Sequence, residues 1–363
     1  MKILTKVFLI FLVTSCANMV MPTGGDKDII APKLVNIAII ENEKNTHNKT
    51  IAFEFDEYIQ LNKWEEFFYI SPPIKKRIQK KVKGQTLFVT IEDSLNQNTT
   101  YFIALNSCIK DNNEGNILDT LNYKFSIINS FDTLSLSGRL QDAYTLAPLE
   151  NAWIMLFNEE LKDTLIFKET PNYIAKTDKN GVFHFPNLKA KNYKVAALTE
   201  FDFIYNEGEK IAFSSRLVNA KKDSFISLFG FDPIIQIDSA VTNSTVIKPD
   251  SIISKTVLDS TIENGAATGK LLISTNISPP CIFQLLQSEK VMKEIYFTKK
   301  PYLINKILAG KYHLKYIADN NRDSVWNTGS WDMKIQPEEV ANYRSEITIR
   351  ANWDLDLEWT IGE

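Results

Sequence analysis

Residues Ile174–Leu198 read IAKTDKNGVFHFPNLKAKNYKVAAL. After Asp178-Lys179-Asn180-Gly181, Phe183 and Phe185 stand two residues apart, and a period of two is the mark of a strand rather than a helix. Asp and Asn tolerate tight turns, and Gly181 suits a turn position that needs positive φ. The stretch therefore predicts a hairpin turning on Asp178–Gly181, a short loop, and a further strand that ends near Leu198.

The same pattern recurs along the chain. In KTIAFEFDEYIQL, Ile51, Phe53 and Phe55 face one way, with Ala52, Glu54 and Asp56 between them. QTLFVTIEDSLNQNTTYFIAL supplies strands at Thr86–Ile91 and Thr100–Leu105 around a polar corner, and LNYKFSI follows. Ahead of Ile174, LSLSGRLQDAYTLAPLENAWIMLF reads as strand, turn at Pro148, strand. Near the end, KLLISTN, CIFQLLQ, KEIYFTKKPYLI and GKYHLKYIAD are strands. In the last stretch, ANWDLDLEWTIGE, residues Trp353, Leu355, Leu357, Trp359 and Ile361 are expected to face inward and Asp354, Asp356, Glu358 and Thr360 to face water. Short strands separated by turns rich in Asn, Asp and Gly make the chain all-β, with two or three tandem β-sandwiches. An internal echo links NLKAKNYKVAALTEFDFIYNEGE with ILAGKYHLKYIADNNRDSVWNTGS. Tyr193 aligns with Tyr312, Leu198 with Ile317 and Gly208 with Gly329, so the last sandwich is expected to be a diverged copy of the middle one.

The front of the chain has a different character. The apolar run from Ile3 to Val13 is about half the length a membrane-spanning helix needs, so it reads as the core of a secretory signal. Small Thr14 and Ser15 precede Cys16. Residues Ala17 to Pro32, with Pro22, Gly24, Gly25 and Pro32, form a tether that reaches roughly 50 Å when extended. Asp238 to Ala267 is rich in Ser, Thr and Asp and reads as a linker or long exposed loop. The net charge of −3 gives no global field for nucleic acid, and no nucleic-acid partner is expected. Besides Cys16, Cys108 and Cys281 read as separate buried thiols.

The order of IAFEFDEYI, YISPP at Tyr69–Pro73, TLFVTI, NTTYFIAL and IKDNNEGN at Ile109–Asn116 resembles the bacterial Ig-like domains of S-layer and surface proteins. Gly138, Asp142, Pro148, Leu149 and Ala152, followed by Thr177, Asp178, Gly181, Phe183, Phe185, Leu188 and Tyr193, resemble the carboxypeptidase-regulatory or transthyretin-like sandwich, whose members are mostly non-catalytic. The Thr14-Ser15-Cys16 site resembles a bacterial lipobox, which implies that the Cys16 sulfur is lipidated and becomes the mature N-terminus. Taken whole, the chain resembles a Bacteroidota lipoprotein family, and Ala17-Asn18 after the cysteine implies passage to the outer membrane. The implied layout is a signal peptide at 1–15, a lipidated tether at 16–32, an Ig-like domain at 33–130, a transthyretin-like sandwich at 131–237, a linker at 238–268 and a last sandwich at 269–363.

Catalytic signals are sparse. The three histidines are His47 in a polar loop and His184 and His313 within strands, and the metalloprotease, hydrolase-elbow, redox and phosphate-loop motifs are missing. Glu54 with Asp56, and Glu65 with Glu66, read as solvated strand or loop carboxylates rather than a glycosidase pair. Two local features stand out. Asp319, Asn321 and Asp323 offer oxygen ligands at alternate positions and can wrap Ca²⁺, although Ser324 and Ser330 replace the Gly and Glu of an EF-hand. The same residues also suit an Asx-rich turn that needs no cofactor. Lys75, Lys76, Arg77, Lys80, Lys81 and Lys83 suit either an acidic partner or a charged edge strand that blocks aggregation. The expected function is a non-catalytic, lipid-anchored scaffold of the outer membrane, held to the membrane by its anchor and joined to outer-membrane protein partners such as a β-barrel complex. The alternative is a glycan-binding surface protein with a Ca²⁺-stabilised loop.

Overall fold

Residues 27–41, 49–127, 130–199, 202–233 and 267–362 are described by a computed structural model. Cys16, the signal peptide, most of the tether, His47 and nearly all of the 238–268 segment lie outside them. Among the described residues, apart from one helical turn at Trp64–Phe67 and a 3₁₀ turn at Asp163–Leu165, the regular structure is β. The chain divides into two compact units.

The first unit draws on the chain up to Phe67, on Ile78–Ile91 and on Leu105–Leu121. It contains β1 (Leu34–Glu41), β2 (Lys49–Phe55), β3 (Ile59–Leu61), β5 (Gln79–Lys83), β6 (Thr86–Ile91), β8 (Ile109–Asp111) and β9 (Ile117–Leu118), while β4 (Tyr69–Ser71) and β7 (Thr100–Ala104) belong to the second unit. Four strands join in the order β1-β2-β6-β5, all antiparallel. Their alternation is as expected: Ile51, Phe53 and Phe55 on β2 and Leu87, Val89 and Ile91 on β6 are all buried, with Ile51 opposite Val89 and Phe53 opposite Leu87. The lysine-rich strand β5 is an edge of this sheet. The loop after β8 is closed by Asp111, whose Oδ1 accepts the amides of Asn113, Glu114 and Gly115 at 2.8, 2.6 and 2.8 Å and whose Oδ2 accepts that of Asn116 at 2.8 Å.

The second unit holds a three-stranded sheet, ordered β10-β7-β4 with β10 at Asn122–Ser126, and two sandwiches. The middle sandwich has β11 (Leu134–Asp142), β12 (Trp153–Asn158), β13 (Tyr173–Lys176), β14 (Val182–Leu188), β15 (Asn192–Leu198), β16 (Ile211–Phe213), β17 (Val218–Asn219) and β18 (Phe225–Gly230). The last has β19 (Thr268–Thr275), β20 (Cys281–Gln287), β21 (Lys290–Phe297), β22 (Tyr302–Leu308), β23 (Gly310–Ala318), β24 (Val340–Asn342), β25 (Ile347–Ile349) and β26 (Asp354–Trp359).

The two sandwiches share one topology. Sheet β14-β11-β18 corresponds to β22-β19-β26, with the last strand parallel to the first in both. Sheet β13-β12-β15-β16, with β17 also on β15, corresponds to β21-β20-β23-β24, with β25 also on β23. Register agrees residue by residue. Leu198 pairs with Trp153 and Ile211, and Ile317 pairs with Ile282 and Val340. Tyr193 faces Val218 and its hydroxyl donates to Lys189 O at 3.1 Å, while Tyr312 faces Ile347 and its hydroxyl donates to Leu308 O at 2.9 Å. The echo of Tyr193 with Tyr312 and of Leu198 with Ile317 is thus a structural equivalence. Gly208 and Gly329 are different: Gly208 stands three residues before β16, whereas Gly329 stands eleven before β24.

Two expectations change. The Asp178–Gly181 turn does not close a hairpin, because β13 pairs with β12 in one sheet and β14 with β11 in the other. It is a corner between sheets, and it keeps Ala175 and Phe183 in the same core. Gly181 does have φ +71°, and a Cβ there would lie 2.3 Å from Leu140 O. The second change is at Trp353, which is 60% exposed and precedes β26. The alternation begins at Asp354: Leu355, Leu357 and Trp359 pack against the core and Ile361 is buried. Trp353 falls in the tight turn that enters the strand, where its ring lies beside the Arg350 guanidinium and outside the sheet.

Candidate functional site

The residues singled out at Asp319–Asp323 open the segment between β23 and β24, residues 319–339. Its counterpart in the middle sandwich, residues 199–210, is nine residues shorter (21 against 12). Asp319 is buried, and its two carboxylate oxygens each accept an amide at 3.1 Å, from Asp323 and Ser324. Asn321 donates to Asp323 Oδ2 at 2.9 Å and Asn327 donates to the same oxygen at 2.8 Å, while Val325 N–H donates to Oδ1 at 3.0 Å. Burial pushes the Asp323 carboxyl up, but these side-chain amides and the Val325 N–H outweigh it, and the group sits below the usual carboxylate range. All three candidate ligands therefore meet in one turn whose oxygens already face amide donors. Asp111, Asp142 and Asp178 close loops elsewhere in the same way.

Glu338 staples the far end of the segment to its start. One carboxylate oxygen accepts Asn320 N–H at 2.6 Å, the other accepts Asn327 N–H at 3.0 Å, and the Glu338 carbonyl accepts Trp326 Nε1–H at 3.0 Å. Burial raises the Glu338 carboxyl despite those amides. The purpose of the closed loop lies in what it carries. Trp326 packs against Tyr144 of the middle sandwich, with centroids 5.0 Å apart. Trp331 meets Phe167 at 5.0 Å and Phe213 at 5.1 Å, both edge-on. Thr328 Oγ1 donates to Asp232 O at 2.7 Å, and Gln336 Nε2 donates to Phe213 O at 2.9 Å. At Gly329 the approach is so close that a Cβ would stand 2.6 Å from the Phe231 ring.

Beside this strap, Lys315 on β23 is buried, donates to Tyr144 O at 3.0 Å and lies 4.3 Å from the centroid of the Tyr144 ring. Burial lowers the Lys315 pKa, and nearby Asp142 partly offsets that. Asp142 accepts Lys210 Nζ at 2.8 Å, Thr145 N–H at 2.7 Å and Thr145 Oγ1 at 2.9 Å. Burial raises its carboxyl and these donors more than reverse the effect. A cavity of about 530 Å³ adjoins the joint, walled by Phe213, Phe225 and Phe229 on one side and by Gln336–Val340 on the other. Sequence reasoning found the acidic turn but missed the strap. The signal was present in two tryptophans, Trp326 and Trp331, set in a polar stretch that a solvated loop has no reason to carry.

The other candidates disperse. Lys80 lies over Trp64 and pairs with Glu65, so part of the basic stretch is neutralised locally. Glu54 and Asp56 are exposed, and Asp56 accepts the Lys33 amide. Cys108 and Cys281 are buried and not disulfide-bonded, and burial lifts the Cys281 thiol to about 11. His184 Nδ1 is 2.9 Å from Ser137 Oγ across β14 and β11, on an exposed face. Among the described residues no group of three or more His, Cys, Asp or Glu is placed to hold a metal, and no helix is long and apolar enough to cross a membrane.

Comparison with solved structures finds matches at low identity. The minor pilin of Streptococcus agalactiae is 12% identical, covering 63% of this chain and 95% of its own, with a TM-score of 0.20. The Bacillus anthracis TIE protein is 13% identical over 93% of this chain and 59% of its own, with a TM-score of 0.18. The MG0-NIE-MG1 domains of Escherichia coli alpha-2-macroglobulin are 10% identical over 79% of this chain and 94% of their own, with a TM-score of 0.21. At these scores no function passes from them to this chain. No curated protein matches. Residues 28–132 match the family of bacterial Ig-like domains, a typically structural kind of module, so the first module of the chain is of that kind.

Proposed function

We propose that this protein is a non-catalytic scaffold of the cell envelope, anchored to the outer membrane through lipid on Cys16 and presenting its modules to a protein partner there, such as an outer-membrane β-barrel. One observation carries the scaffold reading. The strap of residues 319–339 ties two copies of one sandwich together through Trp326, Trp331, Thr328 and Gln336. Flexibly linked domains need none of these contacts, and a joint that excludes water with aromatic rings fixes their relative orientation. A fixed orientation is what a spacer or docking platform requires. The anchor reading rests on the lipobox-like Thr14-Ser15-Cys16 site behind the apolar run, since several acyl chains together make a stable anchor.

The test is fractionation joined to crosslinking. Wild-type protein is expected in the outer-membrane fraction, and mild crosslinking is expected to capture a membrane protein. Cys16→Ala should release the protein or leave an unprocessed precursor. Maturation and fractionation of Cys16→Ala like wild type would remove the anchor. Glycan binding with no protein captured would replace the scaffold by a ligand-binding reading.

A further inference from the structure

The cavity of about 530 Å³ beside the joint is lined by unlike groups, among them Ser215, Arg216, Phe225, Ser227, Phe229 and Glu339. Most of its polar groups are already engaged. The Arg216 guanidinium donates to both carboxylate oxygens of Asp223, at 3.0 and 2.9 Å, and to Leu217 O at 3.1 Å. Glu338 accepts the amides of Asn320 and Asn327, Gln336 Nε2 donates to Phe213 O, and Ser214 Oγ donates to Arg216 O at 2.8 Å. Three kinds of group remain. The Glu339 carboxylate is exposed and has no hydrogen bond or ion pair among the described residues, and the Ser215 and Ser227 hydroxyls are exposed as well. Phe225 and Phe229 are 56% and 38% exposed, and among the described residues neither meets another ring.

The uncommitted groups share one chemistry. Carboxylate and hydroxyl oxygens accept hydrogen bonds, the faces of aromatic rings attract cations, and Arg216, the cation of the described lining, is neutralised by Asp223. Their complement is a positive charge on a hydrocarbon stem. The strand says how that charge arrives. Phe225, Ser227 and Phe229 project from one face of β18, and β18 is the edge of its sheet. At the usual rise per residue, positions 225 and 229 stand roughly 13 Å apart, the reach of about four residues of extended chain. We infer that this cavity binds an extended, lysine-bearing segment of a protein partner, with the lysine ammonium at Glu339 and its stem along the phenyl rings. The inference rests on the scaffold reading and deepens it, because it states the chemistry of what the platform holds. Ring faces beside the carboxylate add cation–π attraction, which an isolated surface ion pair lacks.

Fluorescence anisotropy of a labelled tetralysine peptide with the full chain in detergent tests this. Wild type is expected to bind it, less tightly as salt rises, and tetralysine with acetylated side chains should not bind. Glu339→Gln and Phe225→Ala should each weaken binding at least fivefold with an unchanged melt, because both side chains are exposed. Glu358→Gln alters an exposed carboxylate on β26 outside the cavity and should change nothing. No binding by wild type overturns the inference, and so does equal affinity in wild type and Glu339→Gln. An equal loss in Glu358→Gln overturns it too, since the peptide would then be held by surface charge in general. Spermidine displacing the peptide at equal concentration would make the ligand a free amine and overturn the peptide assignment. The assay needs neither anchor nor membrane. Its failure beside intact fractionation and crosslinking therefore strikes the cavity alone, and peptide binding beside lost fractionation strikes the anchored-scaffold reading instead.

Discussion

Trp331→Ala is the sharpest perturbation of the joint. The ring is half-buried and meets Phe167 and Phe213 edge-on at about 5 Å. Half of a tryptophan's ~200 Å² removed from water is worth about 2.5 kcal/mol at ~25 cal/mol/Å². Two edge-to-face pairs add about 1 kcal/mol or more. The expected loss is about 3.5 kcal/mol, or a fall of roughly 7–14 °C in melting temperature for a unit of this size. Both partners belong to the middle sandwich and Trp331 to the last, so the loss falls on their coupling. In calorimetry, the transition of the paired sandwiches should move down and begin to split. Trp353→Ala is the control: the chemical change is the same, but the ring is 60% exposed. If Trp331→Ala melts within about 1 °C of Trp353→Ala, the rings do not hold the joint and the strap argument fails. Gly329→Ala should act in the same direction by about 1–3 kcal/mol, because the new Cβ would meet the Phe231 ring at 2.6 Å and Ile335 O at 2.9 Å.

Other expectations follow from single groups. In the last strand, Trp359→Ala should cost about 2 kcal/mol, since the ring packs on Tyr343 at 5.5 Å, whereas Trp353→Ala should stay within about 0.5 kcal/mol in chemical denaturation. Asp142 has a depressed folded-state pKa, so its stabilisation is complete above its unfolded value and drains away as pH falls through the folded one. Asp142→Asn should therefore lower the melting temperature at neutral pH and show a shallower decline on acidification than wild type; parallel curves would discard the ion pair with Lys210. Asp319→Ala should cost about 1–3 kcal/mol by stranding the Asp323 and Ser324 amides, and chelator should leave the wild-type melt unchanged. A Ca²⁺-dependent rise of several degrees, abolished in Asp319→Ala, would make the turn a cation site instead.

The strands were legible because burial in a sheet has a short, local signature. Ile51, Phe53 and Phe55, and likewise Leu87 and Val89, fall at every second position and are all buried. Pairing was less legible, because alternation says which side a residue faces and not which strand lies beside it. That is why the Asp178–Gly181 corner read as a hairpin: both give turn residues between two strands, and only the positions of β12 and β11 decide between them. Trp353 failed for a related reason. The period of two extends one residue past the end of the ladder, and nothing local marks where a strand ceases to be covered. At the joint, the carboxyl-rich turn was visible as chemistry, but its role depends on Phe167, Phe213 and Phe231, far earlier in the chain.

Duplication explains where the novelty lies. Two sandwiches with one topology and one register have little freedom in their cores, because each strand residue is fixed by neighbours on two sides. Loops between strands are free to lengthen at small entropic cost. The segment after β23 is nine residues longer than its counterpart after β15, and this segment reaches the other copy alongside Lys315 of β23, which donates to Tyr144 O. Lengthening alone would give a floppy loop. The Asp319 and Glu338 carboxylates prevent that by gathering the amides of Asn320, Asp323, Ser324 and Asn327 into one closed turn, so Trp326 and Trp331 are presented from a rigid base. On this account the acidic residues act on the joint through the loop's backbone, and shortening 319–339 to the length of 199–210 should leave both sandwiches folded while freeing them to move against each other. Small-angle scattering would report that freedom as a broader distribution of dimensions, and an unchanged distribution would show that the joint is held elsewhere.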